Sequence, residues 1–311
     1  MTVATRTRPD VVALTRHIGA EILGIDLREK PDEETIAAIH QAWLDHLVII
    51  FPGQKLSQED LVRVTHYFGE QAQHSRPAKY FPKGYSSLLP GIMLISNIRE
   101  NGEPIGALPD GEMMFHHDMI HVEVPSKATL LYSVEIPSSG GNTLFASGYA
   151  AYDTLDPAIR NRLEGRFAKH HYNYGSTQKG DSRGTDAFGE CVHPVFRTHE
   201  ETGKKAVYVN RLMTVGIRHA AAGKRTPPQR GVRSCGKTPV RLRARLADRR
   251  PPAVGQSLLL ACTNGFSFHR APADAPNDGQ GHGAPLLISS QTRDVKIQGH
   301  DRRQLPLHGR G

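Results

Sequence analysis

Short strand-like runs separated by turns fill the middle of this sequence, and they constrain its fold more than any other feature. Runs of strand length and apolar or alternating pattern are IMLISN, FHHDMIHVEV, ATLLYSVEIP and GGNTLFASG, and a hairpin turning at ETGKK is predicted in HPVFRTHEETGKKAVYVN. Helical spacing appears in PDEETIAAIHQAWLDHL, in DPAIRNRLEGRF and in SQEDLVRVTHYFG, where Ser57 is a suitable N-cap. The polar, glycine-rich stretch from Ile98 to Glu112 predicts a loop. The pattern predicts a mainly β fold with flanking helices.

Composition places the chain among ordinary globular proteins. It has 311 residues, of which 38% are hydrophobic and 23% charged. No apolar run approaches the roughly 20 residues that cross a bilayer, and no apolar stretch follows the basic start MTVATRTRPD. Three scattered cysteines do not form a disulfide framework or a thiolate zinc site. We therefore expect a cytoplasmic protein that does not enter membranes.

The net charge of +8 is concentrated in one segment. Residues 218–250 contain nine Arg, two Lys and one Asp, a net of +10, and residues 218–311 contain no Glu, Tyr or Trp. No sustained helical or strand period is present in 218–250, so we expect this segment to be poorly ordered. It could be a basic tail that binds nucleic acid or a membrane surface, or the product of a slipped reading frame. The absence of aromatic residues among its arginines argues against nucleic acid.

A metal-binding pattern follows the central glycine-rich stretch, in Phe115-His116-His117-Asp118. On a strand, alternate side chains share a face, so His116 and Asp118 are predicted to project together while His117 points the other way. One imidazole and one carboxylate need a second imidazole from elsewhere to complete the ligand set of non-haem Fe(II) oxygenases.

The sequence around this pattern resembles the TauD/TfdA family of Fe(II)- and 2-oxoglutarate-dependent dioxygenases. The resemblance covers roughly residues 17–217 and includes GAEILGIDL, LVIIFPGQ, ISNIRENGEPIG and the run from GEMMFHHD to SSGGNTLFASGYAAYDTL. It implies a double-stranded β-helix, or jelly roll, with the metal between its two sheets. His116 and Asp118 match the first two iron ligands of the family, and Thr143 matches the threonine that hydrogen-bonds a carboxylate of 2-oxoglutarate.

The family's remaining site residues are harder to place, because the C-terminal third departs from its pattern. The family has a distal histidine after a strand and a Trp-Asp-Asn turn; LLLACTNGFSFHR keeps the strand, the Asn and the spacing but lacks Trp-Asp. His269 is the predicted distal ligand, with His282 as the alternative. No arginine stands at the family's distance beyond it, so Arg293 is the predicted partner of the far carboxylate of 2-oxoglutarate.

The resemblance implies a hydroxylase that uses O2, decarboxylates 2-oxoglutarate to succinate and acts on a small anionic substrate. His74 lies where family members contact the acidic end of the substrate, with a solvated loop histidine as the alternative. His117 and His121 are expected to be packing or surface residues, and His193 and His199 to be structural or to line the pocket. An inactive relative with an altered C-terminus is the alternative. We divide the chain into a dioxygenase part at 1–217, the basic segment 218–250, and remnant core strands at 251–311. The sequence leaves open whether the chain forms a homo-oligomer.

Overall fold

The structure is a computed structural model, and its described part contains most of the predicted dioxygenase region and four later strands. Side chains and backbone are described for residues 8–72, 88–96, 98–106, 113–135, 143–172 and 189–219, apart from the side chains of residues 104 and 113, and backbone alone for 241–243, 258–262, 266–270 and 286–293. No helix within these ranges is long and apolar enough to span a membrane.

Two helices near the start of the chain form where the sequence predicts them. Helix α1 covers Glu33–His46, and its buried face includes Ile39 and Trp43. Helix α2 covers Gln58–Thr65 and begins with a capping box, in which Ser57 and Asp60 satisfy each other's backbone N–H groups. At the start of α2, the side chains of Ser57 and Asp60 therefore accept hydrogen bonds from backbone N–H groups that have no partner within the helix.

Two shorter helices follow the predicted metal-binding region. Helix α3 covers Gly148–Asp153, and helix α4 covers Pro157–Leu163. The side chain of Asp156 caps α4, and a proline occupies the first turn, where its missing N–H has no cost.

Strands make up most of the described fold. Their bounds are β1 Asp10–Ala13, β2 Ala20–Leu23, β3 Val48–Phe51, β4 Glu70–Gln71, β5 Ile92–Ser96, β6 Arg99–Glu100, β7 Glu103–Pro104, β8 Met113–His116, β9 Ala128–Glu135, β10 Thr143–Ser147, β11 Phe167–His171, β12 Glu190–Pro194, β13 Phe196–Thr198, β14 Lys205–Val207, β15 Thr214–Arg218, β16 Arg241–Arg243, β17 Leu258–Cys262, β18 Phe266–Arg270 and β19 Leu286–Arg293.

The largest sheet has eight strands in the order β1-β2-β3-β17-β9-β19-β4, with β5 also paired to β19. All its pairs are antiparallel except β2 with β3. Strand β9 is hydrogen-bonded on one side to β17 and on the other to β19. The centre of this sheet is thus completed by strands from the C-terminal third of the chain.

A second sheet of four strands, in the order β16-β10-β18-β8, carries the predicted metal-binding histidine at the end of β8. Phe145 on β10 is fully buried in the same apolar cluster as residues of β3 and β9, so this sheet faces the large one across a shared core. The remaining described strands form a sheet in the order β12-β11-β15 and the hairpins β13-β14 and β6-β7.

Two local predictions from the sequence are wrong. The strand predicted for FHHDMIHVEV ends at His116, because the chain turns at Met119, whose φ is 56° and whose carbonyl accepts from the Val122 N–H. The predicted loop from Ile98 contains the hairpin β6-β7, whose turn residues Asn101 and Gly102 have φ angles of 52° and 82°.

A short part of the basic segment is described. Residues Arg241–Arg243 form β16 and pair with residues 144–146, although this stretch lacks apolar alternation. A sheet-edge strand requires backbone pairing on one side only, and charged residues are common there. Residues 220–240 and 244–250 lie outside the described part, so the expectation of poor order for them stays a prediction.

Candidate metal centre

His116 is the last residue of β8 and is nearly fully buried. Its Nδ1 lies 2.9 Å from the carbonyl oxygen of Met114. A carbonyl oxygen only accepts hydrogen bonds, so Nδ1 carries the proton and donates it. This bond fixes the tautomer and the ring orientation and turns Nε2, the nitrogen suited to bind a metal, towards Asp118.

Asp118 lies just beyond the strand, in the turn that contains Met119. Its Oδ1 is 3.4 Å from the Nε2 of His116, and its Oδ2 accepts a hydrogen bond from the hydroxyl of Thr129 at 2.6 Å. The sequence predicted the proximity of His116 and Asp118 from strand alternation. The two side chains meet instead because a turn follows the strand and because β9 supplies a hydroxyl to the carboxylate.

The chemistry of this pair suits a divalent metal ion. Ligand atoms about 2.1 Å from one metal lie roughly 3.0 Å apart at adjacent octahedral positions and roughly 3.4 Å apart in a tetrahedron. The observed 3.4 Å between Nε2 and Oδ1 falls within this range. Within the described residues, no group of three or more His, Cys, Asp or Glu side chains could hold a metal. The described residues therefore supply two candidate ligands, His116 and Asp118.

The backbone brings the predicted third ligand into the strand beside His116. His269 lies on β18, which pairs with β8, and the residues on either side of it, Phe268 and Arg270, are opposite His116 and Met113. The register shifts between these two pairs, and strand alternation places residue 269 on the face of β18 opposite to that of Phe268, the residue paired with His116. The side chain of His269 and all of the alternative, His282, lie outside what is described, so the third ligand stays a prediction.

Thr143, the predicted contact of 2-oxoglutarate, is the first residue of β10. The register aligns Phe145 of β10 with Phe268 and Phe268 with His116. Paired residues and residues two apart on one strand share a face, so Thr143 lies on the same face of the sheet as His116. This position allows Thr143 and the metal pair to contribute to one site.

The other predicted site residues are not brought to this place by described contacts. Arg293 is the last residue of β19, and its backbone pairs with Glu70 in the large sheet. Its side chain lies outside the described part, as does the whole of His74. Their roles remain predictions.

His117 is buried and packs against residues from a later part of the chain. Its ring centroid lies 4.9 Å from the ring centroid of Tyr208, and its Nδ1 lies 3.4 Å from the side-chain Nδ2 of Asn210. Burial lowers the pKa of His117 to about 3, so the ring is neutral at pH 7. These contacts anchor the segment between the two predicted ligands to the residues that follow β14.

Three more histidines pack around this cluster, which the sequence did not predict as a group. The ring centroids of His170 and His193 lie 5.8 Å apart. The Nε2 of His193 donates a hydrogen bond to the carbonyl oxygen of Val122 at 2.9 Å. Burial lowers the pKa of His121 and of His193 to about 4 and that of His170 to about 3. Through the bond from His193 to Val122, this cluster of neutral rings is attached to the turn that follows the predicted ligands.

Thr129 is the contact of the candidate site that sequence reasoning missed. It is a buried residue of β9, and its hydroxyl binds Asp118 across a separation of eleven residues. A threonine in a strand is ordinarily there for its β propensity, so nothing in ATLLYSVEIP marks this one as a contact of Asp118.

Comparisons with known proteins agree with this architecture. The family described as "Taurine catabolism dioxygenase TauD, TfdA family" matches residues 10–230. The (S)-phenoxypropionate/alpha-ketoglutarate-dioxygenase of Delftia acidovorans is 28% identical over 213 residues, covering 62% of this chain and 68% of the relative. Pentalenolactone F synthase of Streptomyces avermitilis is 33% identical over 220 residues, covering 64% of this chain and 70% of the relative.

A taurine dioxygenase structure from Burkholderia xenovorans shares the fold, with a TM-score of 0.63 and 23% identity over 92% of this chain and 91% of the other. The likeness in structure thus extends beyond residue 230, where the family match ends. The family match spans well over half of the chain. The chain belongs to the TauD/TfdA family of dioxygenases, whose cofactors are Fe(II) and 2-oxoglutarate.

Proposed function

We propose that this chain is a jelly-roll dioxygenase that hydroxylates a small anionic substrate and converts 2-oxoglutarate to succinate and CO2. The observation that carries the proposal is the pair of buried His116 and partly buried Asp118, held by Met114 and Thr129 with Nε2 and Oδ1 turned towards each other. The facing large and small sheets support the jelly roll.

Fe(II) and 2-oxoglutarate supply the oxidation chemistry when they are bound. The residues that would hold the metal are His116, Asp118 and His269. His116 offers a fixed lone pair on Nε2, and Asp118 offers one carboxylate oxygen. Thr143 would donate its hydroxyl to a carboxylate of 2-oxoglutarate, and Arg293 would pair with the other carboxylate.

An anionic substrate is supported by the kind of compound on which one relative acts. The Delftia acidovorans relative is a dioxygenase of (S)-phenoxypropionate, a small carboxylate. Within the proposal, His74 contacts the acidic end of the substrate. His116 is nearly fully buried, so the protein would shield a metal held there from bulk water.

The second candidate is a relative that keeps the fold but has lost the activity. One observation favours it: the family match ends at residue 230, and relatives such as that of Delftia acidovorans match only 62% of this chain. The family's distal histidine and arginine both belong to the part of the sequence beyond that point. Under this candidate, the site has two ligands and binds Fe(II) weakly.

The experiment that tests the proposal is anaerobic Fe(II) titration of the full chain and of three variants. His116→Ala and Asp118→Ala are expected to abolish binding, while His117→Ala retains at least part of it, because the His117 ring packs on Tyr208 and its Nδ1 lies beside the Asn210 amide. Circular dichroism checks that each variant is folded. Loss of binding in His117→Ala with retention in His116→Ala would contradict the proposed site.

A further inference from the structure

We propose that Thr129 is a positioning residue that makes Asp118 a one-oxygen metal ligand. The inference rests on the proposed function and extends it to a residue that does not itself touch the metal. Its basis is the 2.6 Å hydrogen bond from the Thr129 hydroxyl to Oδ2 of Asp118, the carboxylate oxygen other than the one facing His116.

The two oxygens of Asp118 have different partners. Oδ1 lies 3.4 Å from the Nε2 of His116, and Oδ2 accepts from Thr129. A hydroxyl-to-carboxylate bond of this length is charge-assisted and about twice as strong as one between neutral groups. Bidentate binding of Asp118 would make Oδ2 serve both the metal and the Thr129 hydroxyl, and the hydrogen bond makes this oxygen a weaker metal donor than Oδ1. The bond therefore favours ligation through Oδ1 alone and leaves a coordination position for other ligands.

The donor is better fixed than the acceptor. Thr129 lies on β9, where its partners are Ala261 of β17 on one side and Gln291 of β19 on the other. Its side chain is buried, with 2% of the residue exposed. Asp118, in contrast, lies in a turn outside any strand ladder. Thr129, which lies on a strand paired on both sides, thus sets the orientation of the Asp118 carboxylate, whose own backbone lies in a turn.

The position of Thr129 also links the candidate metal centre to the C-terminal third. Strands β17 and β19 both lie beyond residue 230, where the family match ends, yet they hold β9 from its two sides. Correct pairing of these later strands is therefore a condition for the bond between Thr129 and Asp118.

The test compares Thr129→Val, which removes the hydroxyl at nearly constant volume, with Thr129→Ser, which keeps it. The matched control is Thr65→Val, because Thr65 is also a buried threonine whose hydroxyl has one acceptor, the Leu61 carbonyl at 2.7 Å. Each full-length protein is titrated anaerobically with Fe(II), and the visible spectrum of the Co(II)-loaded form reports the coordination number.

Thr129→Val is expected to weaken Fe(II) binding by about 10- to 100-fold, the usual effect of losing a partner of a metal ligand. Its Co(II) absorption should fall, because a carboxylate that binds through both oxygens raises the coordination number. Thr129→Ser and Thr65→Val should retain the wild-type affinity and spectrum. If Thr129→Val does not fold, Thr129→Ala takes its place in the same comparison.

The inference is overturned if the hydroxyl-free variant binds Fe(II) as tightly as the wild type with an unchanged Co(II) spectrum. It is also overturned if Thr129→Ser loses as much affinity as Thr129→Val, since the effect would then come from packing. These results leave the proposed function intact. Failure of the wild-type chain itself to bind Fe(II) would remove the proposed function, and the inference with it.

Discussion

Acidification should unfold this protein through its buried histidines. Burial holds the pKa of His170 at about 3, whereas an unfolded histidine has a pKa of about 6.5. Between these values the unfolded chain binds a proton that the folded chain does not, so stability is complete above about pH 6.5 and falls as the pH decreases. The same sign applies to three further members of the cluster, His117, His121 and His193.

The expected size of the effect follows from proton linkage. Between about pH 6.5 and about pH 5.5, each such histidine destabilises the folded state by about 1 kcal/mol, and four together by about 4 kcal/mol. A typical domain has only about 5–15 kcal/mol of stability, so this loss is large. Urea unfolding of the metal-free protein in the presence of a chelator, followed by circular dichroism at several pH values, measures it.

A matched variant separates the cluster from other acid effects. His170→Phe keeps a buried ring but removes one titrating group, so its stability should depend less on pH, by about 1 kcal/mol over the same interval. The variant also loses the contact of the His170 ring with the Thr214 hydroxyl, which lowers stability equally at every pH. A wild-type stability that is flat from about pH 6.5 to about pH 5.5 would refute the reasoning.

Two further predictions concern the cofactor site and the basic segment. Thr143→Val should weaken 2-oxoglutarate binding more than Fe(II) binding, because it removes a hydroxyl donor and little volume; equal loss in two separate titrations would make Thr143 structural. Limited proteolysis should cut within 218–250 long before it cuts within 110–210, because the basic segment has few apolar side chains to bury. Mass spectrometry of the fragments gives the order of cleavage, and earlier cleavage within 110–210 would contradict the prediction.

Local signals in the sequence were sufficient for helices α1, α2 and α4, whereas α3 was not predicted. The N-cap predicted at Ser57 stands directly before the helix that it caps, and α2 begins there as expected. Asn101-Gly102 carried an equally local signal for the β6-β7 hairpin, but the polar composition around it favoured a loop.

Contacts between distant segments could not be predicted in this way. The sequence gives no sign that Thr129 binds Asp118 or that His117 packs on Tyr208, because both contacts depend on how strands far apart in the chain pair. Even the correct proximity of His116 and Asp118 was predicted for the wrong reason. Strand alternation requires Asp118 to lie on β8, whereas the strand ends at His116 and a turn brings the carboxylate back.

We infer that this chain completes an iron site with His269 in spite of its atypical C-terminal third. The most direct test is anaerobic addition of 2-oxoglutarate to the Fe(II)-loaded full chain while the visible charge-transfer band is recorded. We expect a band in the wild type and in His282→Ala and none in His269→Ala. Absence of the band in the wild type, or its persistence in His269→Ala, would contradict this inference.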